Sequence, residues 1–213
     1  NTTSQDVTVF LGDGAGALTP TSESPLSVGA TGAVLSVALG DADQDRHLDL
    51  IVTHAGGAAL LLGNGNGGFG TPGALALPWT PAADGLALGD VNGDGRLDIA
   101  VLSQTAEQAY VLLGNGSGGF AAAAGSPFDA GSDPRHLALG DTDGDGDLDL
   151  VVANPSSLSI LTGSGTGTFG SERRAHVAPD LTRVLLGDLA NTGRLDFVVT
   201  ASNAVARLLS SAP

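Results

Sequence analysis

An aspartate-rich nonapeptide occurs four times in this 213-residue chain, each time directly before an apolar segment. The four copies, called here the first to fourth acidic loops, are DADQDRHLD from Asp41, DVNGDGRLD from Asp90, DTDGDGDLD from Asp141 and DLANTGRLD from Asp188. Oxygen-bearing side chains at alternate positions, closed by an aspartate at position nine, form a loop that can surround one hard divalent cation. The spacing therefore predicts calcium binding.

Calcium takes about six to eight oxygen ligands. In these loops the side chains of positions one, three, five and nine can supply them, together with the backbone carbonyl of position seven, which is His47, Arg96 or Asp147. The predicted metal-binding residues are Asp41, Asp43, Asp45, His47 and Asp49 in the first loop, Asp90, Asn92, Asp94, Arg96 and Asp98 in the second, and Asp141, Asp143, Asp145, Asp147 and Asp149 in the third.

The four loops differ in how completely they carry this pattern. The third is complete and should bind best, whereas the second has the neutral donor Asn92 at position three. The first has Arg46 in place of the glycine that allows a sharp turn at position six, so the backbone there must either adopt a costly geometry or shift. The fourth has Ala190 and Thr192 at positions three and five. We therefore expect about three calcium ions and an empty fourth loop.

Other interpretations of the same residues are weaker. An EF-hand needs an acidic residue at position twelve and flanking helices, but position twelve is a valine in an apolar run in every copy. Aspartates in glycine-rich turns also cap backbone amides without a metal, although three good copies in register argue against that alternative. The glycine turns match a phosphate-binding pattern only superficially, and the four histidines have no zinc-ligand spacing.

The acidic loops recur with a period near 50 residues, because their first aspartates are 49, 51 and 47 residues apart (41 to 90, 90 to 141, 141 to 188). Each period has a short apolar segment before the loop, an apolar run after it, a third segment ending in a glycine-rich turn, and an irregular stretch with prolines. The first segments are 37–39, 86–88, 137–139 and 184–186, the runs are 48–52, 97–101, 148–152 and 195–199, and the third segments are 60–69, 111–120 and 160–169. Four short strands per period predict an all-β fold, a β-propeller built of four-stranded blades.

We expect a single propeller-type repeat domain over residues 1–213, with about four repeats. Its predicted parts are a partial blade at 1–32, repeats at 33–82, 83–133 and 134–181, and a partial repeat at 182–213. Residues 7–12 and 203–210 both resemble third strands, so a blade is unfinished at each end. We expect either a piece of a longer propeller or a ring completed by assembly, including self-association.

The composition limits the possible partners. The formal net charge is −15, from 23 acidic and 8 basic residues, and there is no cysteine. Such a chain is repelled by phosphate backbones and anionic lipids, which argues against nucleic acid and membrane partners, and no apolar run is long enough for membrane insertion. Weak calcium loops fill in extracellular calcium, so we expect a secreted or cell-surface protein.

The chain resembles the FG-GAP repeat family, also described as the VCBS-type repeat, found in the propeller of integrin α subunits. The acidic loops carry the resemblance, with the Leu-Asp pair at positions eight and nine and the Phe-Gly pairs at 69–70 and 169–170, whereas Phe120-Ala121 and the fourth loop depart from it. The resemblance implies calcium-rigidified loops on one rim, usually seven blades, and a binding surface for adhesion or carbohydrate recognition.

We therefore expect a non-enzymatic, calcium-binding extracellular module for protein or cell-surface binding. One alternative is a lectin with sugars in the grooves between blades, where Trp79 could stack on a sugar or pack between blades. Another is a non-catalytic part of a secreted metal-dependent lyase or hydrolase.

Overall fold

The computed structural model describes residues 5–75, 77, 85–177, 179–202 and 204–208, and Trp79 lies outside these ranges. Every helix or strand assigned within them is a β-strand. No helix in this described part is long and apolar enough to cross a membrane. The prediction of an all-β fold is confirmed.

The first described strands form an N-terminal half-blade, which corresponds to the third and fourth strands of a blade. They are β1 (Asp6–Val7), β2 (Phe10–Gly12), β3 (Leu18–Pro20) and β4 (Leu26–Ser27), with β1 paired to β4 and β2 paired to β3. The Gly12↔Leu18 pair closes a turn that matches the Gly63↔Phe69 bridge fifty-one residues later. The prediction that Val7–Gly12 is a third strand is confirmed.

Three complete antiparallel blades follow. The first contains β5 (Val34–Gly40), β6 (Asp49–His54), β7 (Gly57–Leu61) and β8 (Gly73–Leu75). The second contains β9 (Gly85–Gly89), β10 (Asp98–Ser103), β11 (Gln108–Gly114) and β12 (Phe120–Ala122), with β13 (Phe128–Asp129) paired to the start of β11. The third contains β14 (His136–Gly140), β15 (Asp149–Asn154), β16 (Ser157–Leu161) and β17 (Arg173–His176).

The last sheet contains β18 (Leu181–Gly187), β19 (Asp196–Ala201) and β20 (Ala204–Leu208) in that order. Its final strand lies where residues 203–210 predict a third strand. Each blade is thus the repeating unit of a β-propeller, and the acidic loop always connects its first strand to its second.

The second strand of each complete blade is buried along its whole length, in agreement with its continuous apolar sequence. These strands begin at the aspartate of position nine, one residue later than predicted, and run on to His54, Ser103 and Asn154. The leucine at position eight lies outside the strand, because its backbone still belongs to the acidic loop.

The core lies between neighbouring sheets. Alternate residues of a second strand point to opposite faces, so Ile51 packs in the cluster shared with the second blade while Val52 packs against the N-terminal half-blade. Similar clusters join the second blade to the third and the third to the last sheet. The first strands β5, β9, β14 and β18 lie side by side in chain order, as expected for the innermost strands of a propeller.

The glycine at the end of each first strand allows this close packing. A Cβ on Gly40 would lie 2.6 Å from a methyl group of Leu97, which is position eight of the next acidic loop. A Cβ on Gly89 would approach Leu148 in the same way, and a Cβ on Gly140 would approach Leu195. A larger residue at this point would therefore require the facing leucine of the next blade to move.

Candidate metal centre

The aspartate at position one folds each acidic loop back on itself. In the first loop Asp41 Oδ2 accepts the N–H of Arg46 at 2.9 Å, and in the third Asp141 Oδ2 accepts the N–H of Gly146 at 3.0 Å. Asp90 and Asp188 accept the matching N–H groups of Gly95 and Gly193, both at 2.7 Å. Position one therefore caps the turn in all four loops, including the fourth, which has Ala190 and Thr192 at positions three and five.

Two residues of each loop have left-handed backbone conformations, at positions four and six. Position six has φ of 71° at Arg46 and 79° to 95° at the three glycines, so the first loop keeps the common geometry despite its arginine. Of the two possibilities expected for Arg46, the structure has the costly geometry. Position four was missed by the sequence reasoning, although the glycine or asparagine there in three of the loops was a usable signal; Gln44 has φ of 63°.

The aspartate at position nine joins its loop to the third strand of the same blade. Asp149 is fully buried, its Oδ2 accepts the N–H of Thr142, and its Oδ1 accepts the N–H of Gly163, both at 2.8 Å. Asp49 and Asp98 make the equivalent pairs of bonds. Charge-assisted bonds of this kind are the stronger class of hydrogen bond, so position nine has a structural role whether or not a metal is bound.

Carboxylate oxygens from positions one, three and nine converge in two loops. Ligand atoms of Asp41, Asp43 and Asp49 all lie within 4.8 Å of one another, and the same holds for Asp141, Asp143 and Asp149. Asp41 Oδ1 is buried and has no hydrogen-bond partner among the described residues. An orphaned buried carboxylate oxygen is costly unless a cation or proton compensates it. The donor set, all carboxylate oxygen, fits a hard divalent ion.

The clustering also changes acidity. Desolvation, followed by the charges of neighbouring loop aspartates, raises the pKa of the Asp43 and Asp143 carboxyls. Burial likewise raises the pKa of Asp98, with further contributions from Asp94 and Asp90. In the fourth loop the direction is opposite, because the N–H groups of Thr192 and Gly193 lower the pKa of Asp188. Burial and the neighbouring carboxylates thus raise the pKa of Asp43, Asp98 and Asp143.

Position five lies outside these convergent groups. Asp45 Oδ1 accepts the N–H of His47 at 2.8 Å, and its Oδ2 lies 3.0 Å from His47 Nδ1. In the second loop Asp94 makes the matching bond to the N–H of Arg96 and an ion pair with its guanidinium. Asp145 accepts the N–H of Asp147 in the same way. Metal ligation by position five and by the carbonyls of position seven stays a prediction.

The second loop has the same fold with a neutral residue at position three. Asn92 Oδ1 accepts the N–H of Asp94 at 3.1 Å, and Asn92 Nδ2 donates to Asp94 Oδ2 at 3.0 Å. Asp90, Asn92 and Asp98 thus occupy the positions that converge in the first and third loops.

Neighbouring loops are also bonded to each other, which the sequence did not predict. The glycine turn of each blade reaches the preceding acidic loop: Gly118 N donates to Ala42 O, and Gly167 N donates to Val91 O, both at 3.1 Å. Gln44 Nε2 adds a bond to Gly95 O at 3.0 Å. These bonds link the first and second acidic loops with the glycine turns of the second and third blades along one rim.

These features define a class of protein: a repeat β-propeller with acidic loops on one rim. The chain belongs to the FG-GAP-like repeat family, whose sequence profile matches residues 41–101, 90–152 and 141–199. A comparison with curated proteins found no match.

Among solved structures, the chain is similar to an Agrocybe aegerita lectin, described as recognising non-reducing terminal N-acetylglucosamine. The TM-score is 0.65 at 22% identity, over 96% of this chain and 57% of the lectin. The chain thus spans little more than half of the lectin's length, and the likeness concerns the fold.

Proposed function

We propose that this protein is a calcium-stabilised, non-enzymatic propeller module of an extracellular protein, which displays its surface for binding a protein or cell-surface component. The observation that carries the proposal is the convergence of the Asp41, Asp43 and Asp49 carboxylates around a buried oxygen that has no hydrogen-bond partner among the described residues. The raised pKa values of the Asp43 and Asp143 carboxyls support it, since a bound cation would offset both their desolvation, which is the main cause, and the neighbouring negative charges.

Calcium in this proposal has a structural role. Asp41, Asp43 and Asp49 would hold one ion, Asp141, Asp143 and Asp149 a second, and Asp90, Asn92 and Asp98 a third, with carbonyl and position-five oxygens completing each set. In the first and second loops the ion would fix a loop that is bonded to the glycine turn of the next blade, and so would stiffen the contact between blades. The FG-GAP-like family membership supports an extracellular location.

Calcium titration calorimetry on chelator-treated protein tests this proposal. We expect three ions per chain, two in an Asp143→Asn variant, and three in a Thr192→Val variant of the fourth loop. The absence of calcium uptake by the wild-type protein at millimolar concentration would refute it.

Carbohydrate binding is the second candidate function, favoured by the similarity in fold to a lectin. It predicts that the calcium-loaded protein binds neutral glycans on an array. The alternative in which the chain is a non-catalytic part of a secreted lyase or hydrolase gains no specific observation.

A further inference from the structure

A cleft of about 390 Å³ lies between the N-terminal half-blade and the first blade, at the rim opposite the acidic loops. Strand β6 has Asp49 of the first loop at one end and His54, which lines the cleft, at the other. Six extended residues separate these two ends by roughly 17 Å. The cleft is therefore distinct from the candidate metal centre, and its volume suits a small ligand.

His54 is the chemically distinctive residue of the cleft. It is only 6% exposed, and its Nδ1 accepts the N–H of Gly56 at 3.1 Å. Burial lowers the pKa of the imidazole, which favours the neutral ring. In the neutral ring with Nδ1 as acceptor, the proton is on Nε2. This bond to Gly56 is the ring's one hydrogen bond among the described residues, so the Nε2–H is left for a ligand acceptor.

The walls of the cleft are small and uncharged. Ala59 and Ala74 lie beside His54, and Val28 and Leu75 add larger apolar surface. Thr31 supplies a hydroxyl group, and none of the described lining residues is Asp, Glu, Lys or Arg. A charged ligand would lose hydration without gaining an ion pair, so this surface favours an uncharged ligand with an apolar part.

The corresponding groove between the second and third blades shows what closes such a space. There Asn154 Nδ2 donates to Ser159 Oγ at 2.6 Å, the Ser159 hydroxyl bonds to Glu172, and Arg174 Nε lies 2.7 Å from the same carboxylate. By strand register, this polar set corresponds to the following residues of the cleft: Asn154 to His54, Ser159 to Ala59, Glu172 to Pro72 and Arg174 to Ala74.

The comparison shows that the cleft results from side-chain choice on a shared backbone plan. The third blade fills its groove with a polar network from its own chain, and the first blade has alanines and a proline at the matching positions. The open space and the spare His54 donor thus occur together in one groove.

We infer that this cleft binds the acetamido group of a neutral sugar, with the methyl group against Ala59 and Ala74 and the carbonyl oxygen accepting the His54 Nε2–H. A carbonyl matches the single buried donor, and a methyl matches the small apolar walls. The inference rests on the carbohydrate-binding function proposed above and specifies its site and ligand class.

Saturation-transfer NMR on the calcium-loaded protein tests the inference, with N-acetylglucosamine and glucose as ligands. We expect the acetyl methyl protons of N-acetylglucosamine to receive the strongest saturation, and glucose to bind more weakly. His54→Phe removes the donor and should weaken N-acetylglucosamine binding roughly tenfold. His54→Gln, which retains an N–H donor, should recover part of that loss.

Two further variants distinguish an effect on the proposed binding site from an effect on folding. Ala74→Arg places in the cleft the residue that the third blade has at this position, and should abolish binding without lowering the melting temperature, because Ala74 is exposed. His176→Phe changes an exposed histidine on β17 and should leave binding unchanged. Unchanged affinity in both His54→Phe and Ala74→Arg would overturn the inference while leaving carbohydrate binding in place.

A sugar-free probe distinguishes the two failures. If the wild-type protein binds no sugar, the carbohydrate function fails, and N-methylacetamide then tests the cleft alone. Shifts of the Gly56 and Gly57 amide signals that disappear in Ala74→Arg would retain the cleft as an acyl-amide site. The absence of such shifts would overturn the inference.

Discussion

Asp143→Asn should change stability in opposite directions with and without calcium. Ligand atoms of Asp141, Asp143 and Asp149 lie within 4.8 Å of one another, and two unit charges at that distance repel by about 0.9 kcal/mol in water. The dielectric of water is appropriate because the Asp143 side chain is exposed. Removing its charge removes two such repulsions, with Asp141 and Asp149, and should therefore raise the free energy of unfolding by about 1 to 2 kcal/mol in chelator.

In calcium the same substitution should be destabilising. A bound ion stabilises the folded state by RT ln(1 + [L]/Kd), about 2.7 kcal/mol at a hundredfold excess over Kd. Loss of one carboxylate from the third loop should remove most of that increment, so the variant should unfold at lower urea concentration than the wild type.

The assay is urea unfolding in chelator and in millimolar calcium, with Asp147→Asn as the matched control. Asp147 is in the same loop and loses the same charge, but its carboxylate lies outside the convergent group. Its calcium increment should equal that of the wild type. A shift of the same sign for Asp143→Asn in both conditions would refute the proposed cation site.

Acid provides an independent check in chelator. Because the folded-state pKa of the Asp143 carboxyl is raised, protonation favours the folded state. The repulsion weakens as pH falls through that pKa, so the stability advantage of Asp143→Asn over the wild type should shrink. If the stability difference between Asp143→Asn and the wild type widened on acidification, this would contradict the placement of Asp143 among the crowded carboxylates.

Three further substitutions test the framework around the loops. Asp149→Asn places an amide donor against the N–H of Gly163 or Thr142. It should lower the free energy of unfolding in urea by about 3 kcal/mol, even in chelator. A loss of stability seen only in calcium would mean that the role of Asp149 is ligation alone. Arg46→Gly relieves a left-handed non-glycine residue and should stabilise by about 1 kcal/mol, whereas destabilisation would show that the arginine makes a compensating contact. Gly40→Ala should cost about 1 to 3 kcal/mol by crowding the next blade, whereas Gly187→Ala, with nothing within 4 Å, should be neutral; equal thermal shifts would contradict the packing account.

The sequence predicted the blades well because the residues of each repeat contain the signals for its own strands. The branched apolar runs after the acidic loops, the glycine turns and the fixed period are local signals, and the antiparallel sheets follow from them. Strand ends were less accurate, as in β6, which begins at Asp49 and continues to His54. Pairing with the neighbouring strands determines those limits, and local sequence only suggests them.

The candidate metal centre was predictable in part. Alternating aspartates identified the loops. Asp188 and Asp196 keep the backbone bonds of positions one and nine in the fourth loop, and the expectation that it holds no ion stays a prediction. The sequence did not separate the convergent carboxylates of positions one, three and nine from position five, whose side chain bonds to the backbone of position seven. That division depends on loop dihedral angles, including the left-handed residue at position four.

The sequence by itself determined the repeat, the strand order within a blade and the oxygen-rich composition of the loops, because these depend on residues close together in the chain. Tertiary structure alone decided how the blades are joined and where they leave space. The bond from Gly118 to Ala42 and the cleft beside His54 both arise between different blades. Their atoms meet only when neighbouring sheets pack, and no local pattern encodes that packing distance.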